Sequence, residues 1–188
     1  MTEPAPRPLG PGALLRPVRA EDAADLLAIV DANRERLRRW LPWVDGTRQD
    51  RDSRTFLAAA LAQSARGDGT QFALVVDDRL AGVVGFHAID RRLRSTAIGY
   101  WVGAAYEGAG HVTRAVASLL DLAFGDWGLA RVEIRAAPDN VRSRAIPERL
   151  GFQEERVVRR AEWLGDRWVD HVVYGMTAEE WSASRAGG

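Results

Sequence analysis

Residues 96–124 read Thr96-Ala97-Ile98-Gly99-Tyr100-Trp101-Val102-Gly103, then Ala104-Ala105-Tyr106-Glu107-Gly108-Ala109-Gly110, then His111-Val112-Thr113-Arg114-Ala115-Val116-Ala117-Ser118-Leu119-Leu120-Asp121-Leu122-Ala123-Phe124. The first block is a strand-like run. The last carries Val112, Val116, Leu119, Leu120, Ala123 and Phe124 at i, i+4, i+7, i+8, i+11 and i+12, one continuous apolar stripe of a helix. Between them lies a glycine-containing loop. A helix N-terminus presents unpaired N–H groups and the positive end of the helix dipole, which suits a phosphate. Gly108 and Gly110 let the backbone approach it closely. A P-loop is excluded because no G-K-[ST] follows, and the third Gly of a dinucleotide fingerprint falls at Thr113. A glycine pair before a helix also serves as a plain tight connection.

Working outward, Arg131–Ala136 reads as a strand, so the quoted segment is the first half of a β–loop–α–β crossover. Upstream, the runs 72–76 and 80–89, parted by Asp77-Asp78-Arg79, make a hairpin. With 96–103 they predict a three-stranded antiparallel meander. Before them come a strand at 13–18, a helix ending near Trp40-Leu41-Pro42-Trp43 and a helix over 53–65 capped by Ser53. Downstream come a helix over 140–150 closed by Gly151, strand runs at 152–158 and 168–176 joined at Gly165-Asp166, and a terminal helix over 177–184. The order β-α-α-β-β-β-α-β-α-β-β predicts an α/β (α+β) fold: a mixed, mostly antiparallel sheet flanked by helices. Residues 1–12, with four prolines and two glycines, are expected to be a flexible tail, and 13–184 one domain.

Composition narrows the chemistry. The 188 residues carry 26 cations and 26 anions, and every one of those cations is Arg. Neutrality argues against a nucleic-acid binder, though it leaves room for a local basic patch. The absence of Lys and Cys removes Schiff-base, P-loop-lysine and thiolate chemistry, together with cysteine metal sites. His87, His111 and His171 show no ligand spacing, so no metal is expected. No run of 18 apolar residues exists and the N-terminus lacks a leader pattern, so no membrane partner and a cytoplasmic location are expected.

Ile98-Gly99-Tyr100-Trp101-Val102, Tyr106-Glu107-Gly108-Ala109-Gly110 with Thr113 and Ala115, and Ala123-Phe124 resemble the GNAT acyltransferase superfamily. Asn140-Val141-Arg142-Ser143-Arg144-Ala145-Ile146-Pro147-Glu148-Arg149-Leu150-Gly151-Phe152 resembles its RimJ/RimL branch of ribosomal-protein N-terminal acetyltransferases. Trp40-Leu41-Pro42-Trp43, Asp170 and Trp181 match that branch as well. The likeness spans about residues 13–182 and implies acetyl-CoA as cofactor. Its pantetheine would run along Tyr100, Trp101, Val102 and Gly103. Its pyrophosphate would sit on the amides of Glu107, Gly108, Ala109, Gly110, His111, Val112 and Thr113. Asn140 would touch the pantetheine, and Ser143, one turn on, would face the same groove.

The resemblance implies direct attack of an amine on the thioester, with N–H groups of the 100–103 strand stabilising the oxyanion. In RimL-like enzymes a Ser at position 143 is proposed to protonate the departing thiolate. Many other relatives use a Tyr four residues later, where this chain has Pro147. Inside a helix Pro147 leaves the carbonyl of Ser143 without its partner and bends the axis. His87 is the candidate base, and equally a packed strand histidine. Two positions depart from the family pattern: Ala97 stands where the branch often carries Glu, and Ala105 where the phosphate motif usually begins with Gln or Arg. Trp40, Trp43 and Trp101 are candidates to line the acceptor cleft. The arginines of 34–39 argue against a cationic small-molecule acceptor, and those of 142–160 flank the proposed phosphate site. The reading is an acetyl-CoA-dependent N-acetyltransferase acting on a protein N-terminus, as a homodimer through the hairpin around Gly165. The alternatives are a small-amine acetyltransferase and a non-catalytic acyl-CoA-binding protein.

Overall fold

The structure, a computed structural model, describes residues 4–186. In chain order its elements are β1 (Arg7–Pro8), β2 (Ala13–Pro17), α1 (Ala23–Leu37), α2 (Asp50–Ala65), β3 (Gln71–Val76), β4 (Arg79–Phe86), β5 (Ser95–Val102), α3 (His111–Asp121), β6 (Arg131–Ala136), α4 (Val141–Arg149), β7 (Gln153–Leu164), β8 (Arg167–Thr177) and α5 (Ala178–Ala186). The strands form one eight-stranded sheet in the order β1-β2-β3-β4-β5-β6-β8-β7. Neighbours are antiparallel except β5 and β6, which are parallel and joined by the α3 crossover. This is the mixed, mostly antiparallel architecture expected from the sequence.

Strand alternation divides the core into two layers. Phe72, Leu74, Phe86 and Ile98 face the α3 stripe of Val112, Val116, Leu119 and Leu120, with Tyr174, Met176 and Trp181 completing that layer. Ala73, Leu80 and Val83 face Leu26 of α1 and Leu57 of α2. Central β4 is covered on both faces, so it reads as a near-continuous apolar run rather than an alternating one. The β3–β4 turn places Asp77 and Asp78 at φ 48° and 60°. Two consecutive positive-φ residues match the twist of a tight hairpin.

The structure corrects several boundaries. The tail expected over 1–12 is ordered in part: Arg7–Pro8 pair with Leu14 and Leu15 of β2, and Leu9 is 6% exposed in the core. Residues 1–3 lie outside the described residues. α2 starts at Asp50, not Ser53. The Asp52 carboxylate accepts the N–H groups of Arg48 (3.0 Å) and Gln49 (2.9 Å), and a charged acceptor in the first turn outcompetes a hydroxyl. Ser53 is instead buried within the helix. β7 runs on to Leu164 through a bulge at which its register with β8 shifts between Val158 and Glu162. Arg160 there sits at φ 48°, its N–H donating to Asp170 at 2.7 Å. The bulge breaks the period-two pattern, which is why the sequence reading stops at Val158.

Gly82 lies where β4 meets β5. A Cβ on it would be driven into the carbonyl oxygen of Trp101, and backbone cannot swing aside. Gly82→Ala is expected to destabilise the fold by about 1–3 kcal/mol, the cost of overpacking. Denaturant unfolding checks this as a lower midpoint with an unchanged m-value.

Candidate active site

The site begins where two strands part. β5 pairs with β6 only from Ser95↔Arg131 to Ala97↔Glu133. On its other side β5 stays paired with β4 as far as Val102↔Gly82. From Gly99 to Val102, therefore, β5 has an edge inside the sheet with no strand partner. A cleft of about 840 Å³ opens at this parting, lined by residues from both sheet faces. Gly99, Trp101, His87, Glu162 and His171 line it with Trp40, Leu41 and Trp43, while Tyr100, Asn140 and Ser143 line the opposite part.

On the α3 side lies the loop expected to hold phosphate. Gly108 and Gly110 lie at φ 80° and 74°, and no side chain caps the N-terminus of α3 at Gly110. The amides leading into His111, Val112 and Thr113 thus face outward from a glycine turn. Arg114, one turn into α3, donates to the carbonyl of Ala109 at 3.1 Å and lies 3.0 Å from His111 Nδ1. Burial, and then Arg114, lower the pKa of His111. Arg114 supplies a cation beside the loop where Ala105 cannot. The sequence reading missed it because it looked for that charge upstream of the glycines.

The N–H of Glu107, expected among the phosphate-holding amides, instead donates to the carbonyl of Ala104 at 3.2 Å, and it is the side chain that acts at the loop. Its carboxylate binds Arg36 of α1 and Arg142 of α4, and Arg36 also donates to the carbonyl of Val102 at 2.5 Å. Only Arg142 of the 142–160 arginines meets this loop. Arg144 instead binds Tyr174 Oη (2.7 Å) and Glu154, and Arg156 binds Glu133 and Glu155. Of the arginines of 34–39, Arg34 donates to the carbonyls of Val44 (2.5 Å) and Thr47 (2.6 Å), and Arg38 pairs with Asp45. They fasten the loop that carries Trp40 and Trp43 rather than forming a free cationic patch. That loop is also touched by the β7–β8 tip, where Arg167 donates to the carbonyl of Arg39 at 3.4 Å.

Ser143 and Asn140 stand at the start of α4. Asn140 caps the helix, its Oδ1 accepting the Ser143 N–H at 3.3 Å. Tyr100 Oη donates to the Ser143 carbonyl at 2.8 Å and lies 3.4 Å from Ser143 Oγ. Burial pushes the Tyr100 phenol well above its ordinary range, so it stays protonated. His87 lies on the other side of β5, its Nε2 2.8 Å from where a Cβ on Gly99 would be. Only a glycine at 99 lets the ring lie there. Burial lowers the pKa of His87, Arg135 lowers it further and Glu162 opposes both. Glu162 lies 3.5 Å from His171 Nε2, and Trp43 packs on Trp101 with ring centroids 5.5 Å apart. Glu162 lies beyond the β7 bulge, past the point where the strand's alternation is readable in the sequence, and His171 of β8 is placed against it only by the β7–β8 pairing. Ala97 also lines the cleft, and the carboxylate that it lacks is brought in by β7.

A strand edge left open within a sheet, beside a glycine turn at a helix N-terminus, is the arrangement that the resemblance to acyltransferases implies for this stretch. The family model described as an acetyltransferase (GNAT) domain matches residues 13–153, and the chain belongs to the GNAT acetyltransferase family. It is 33% identical over 172 residues to YdaF of Bacillus subtilis (strain 168), a protein named as a candidate ribosomal N-acetyltransferase, covering 91% of this chain and 94% of that one. Among solved structures it is similar to Mycobacterium smegmatis RimJ in complex with CoA-disulfide, at 32% identity and TM-score 0.85, covering 94% of this chain and 87% of that one. It is also similar to the microcin C7 self-immunity acetyltransferase MccE in complex with acetyl-CoA and AMP, at 27% identity and TM-score 0.85, covering 90% and 94%.

His87 ties stability to pH. Its pKa is lower folded than its ordinary 6.5, so the unfolded chain takes up the proton first. Its contribution is complete above about pH 6.5 and is lost as pH falls through the lower, folded value. His87→Gln is expected to flatten that acid limb, leaving the share of His111, when unfolding midpoints are compared across pH 5–8. An unchanged limb would contradict a neutral, buried His87.

Proposed function

We propose that this chain is an acetyl-CoA-dependent N-acetyltransferase whose acceptor is a protein N-terminus, ribosomal proteins being the acceptor class that its relatives' names indicate. The observation that carries the reading is the parting of β5 from β6, with Ser143 on one side of β5 and His87 on the other. The residues present fit the cofactor. The free edge of β5 can pair with an amide-bearing arm, and the amides of 108–113 with Arg114 and Arg142 can hold its phosphates. Acetyl-CoA supplies the acetyl thioester.

The protein's own part follows from the two sides of β5. Trp40, Trp43 and Trp101 wall the acceptor side and exclude water, and Glu162 offers a carboxylate to an incoming ammonium. His87, held neutral by its surroundings, takes the amine proton at Nε2. The N–H groups of the β5 edge lie where negative charge develops during transfer. Ser143 Oγ, on the cofactor side, would give its proton to the departing sulfur and regain one through solvent, into which His87 releases the proton it took. A protein N-terminus enters such a cleft as an extended chain. A cytoplasmic location accords with these acceptors. Pairing of two copies along β7 accords with its position at the sheet edge, where Val157 and Trp163 are 50% and 47% exposed.

Thiol release from acetyl-CoA, measured with short peptides bearing free α-amino groups and with small aliphatic amines, tests the reading. Release with the peptides is expected, and Ser143→Ala is expected to lower kcat about a hundredfold with acetyl-CoA affinity nearly unchanged. Tight CoA binding without release for any acceptor would instead establish a sensor.

A further inference from the structure

Pro147 lies inside α4 and brings no N–H to the helix ladder. The group left without its helical partner is the carbonyl four residues back, that of Ser143. On either side the ladder resumes, with Arg144 N–H donating to Asn140 at 3.0 Å and Leu150 N–H to Ile146 at 3.2 Å. The gap is filled from another element: Tyr100 Oη, on the free edge of β5, donates to that same Ser143 carbonyl at 2.8 Å. The phenol has one hydrogen, and the carbonyl takes it. What Tyr100 then offers Ser143 Oγ, 3.4 Å away, is an accepting lone pair. At that distance the Ser143 hydrogen is held only loosely and is free to turn to a closer acceptor, while the Tyr100–carbonyl bond ties α4 to β5 across the parting and fixes where Oγ stands.

We infer that Tyr100 is the positioning residue of the transfer: its hydroxyl replaces the N–H that Pro147 lacks and so sets the place of Ser143 Oγ. The inference rests on Ser143 as the proton donor for its catalytic half. The Tyr100–Pro147 tie itself does not depend on that reading. A phenol from β5 thus works beside the helix position where many family members carry a tyrosine, as a positioning residue and not as the acid.

A double-mutant cycle of Tyr100→Phe and Pro147→Ala separates the two halves. In the protein without cofactor, Tyr100→Phe is expected to lower Tm by about 2–6 °C, because the part-buried Ser143 carbonyl loses the phenol that donates to it. In the Pro147→Ala background the restored N–H serves that carbonyl, and the same change is expected to cost less than half as much. Equal losses in the two backgrounds would overturn the tie. In peptide acetylation Tyr100→Phe is expected to lower kcat about tenfold to a hundredfold, with KM for acetyl-CoA nearly unchanged. Pro147→Ala alone, which keeps every side chain of the site, is expected to lower kcat while Tm holds or rises. An unaltered kcat in both variants would overturn the positioning role. If Ser143→Ala alone leaves kcat unaltered, the assignment of Ser143 fails, and the Tm cycle still decides the tie.

Discussion

Three residues of pairing decide this structure. β5 hydrogen-bonds to β6 from Ser95 to Ala97 and no further, while β4 holds it straight to Val102. Backbone N–H and C=O groups away from water must find partners, and an open strand edge is ordinarily covered, charged or shortened. Here the edge is kept open inside the sheet and framed by α4, the β5–α3 loop and the β7–β8 hairpin. The period of two along β5 then distributes the chemistry: Gly99 and Trp101 turn toward His87 and the acceptor wall, and Tyr100 toward Ser143 and α4. One strand serves two ligand sides without a bend, because alternation does the sorting.

Arginine alone supplies the cations around that opening, and it acts as a fork rather than as a point charge. Arg36 reaches both the Val102 carbonyl and Glu107, and Arg34 bridges two carbonyls of the Trp40–Trp43 loop. Planar, multidentate donors can hold two partners at fixed separation, which an ammonium does poorly. Much of the arginine complement is thus engaged in fixing backbone. Arg114 and Arg142 stand by the glycine turn. A neutral sum over the chain and a local pair of arginines beside the glycine turn are compatible for this reason.

The strand–loop–helix unit at 96–124 was legible because its signals are local: an apolar run, two glycines and a stripe of helical period. Ser143, His87 and the tryptophans were legible as residue types in a recognisable order. Pro147 announced an orphan carbonyl, but the sequence could not show that Tyr100, 43 positions from Ser143, would fill it. Glu162 was hidden by a bulge, since Arg160 at positive φ carries no sequence mark that a glycine would have carried; His171 was visible as a strand histidine, but its neighbour Glu162 was not. The strand at Arg7–Pro8 was masked by prolines, which edge strands tolerate because one side of the strand needs no donor. In each case the missing information was a long-range contact or a backbone exception, not a composition.

The central claim is that the open edge of β5, together with the glycine turn before α3, receives the cofactor. Amide hydrogen exchange of the protein with and without CoA tests it most directly. The account expects slowed exchange confined to the amides of 99–103, 108–113 and the start of α4, with the β1–β3 region unaltered. Saturating CoA that leaves the 99–103 and 108–113 amides exchanging as before, or protects a different face of the sheet, would contradict it.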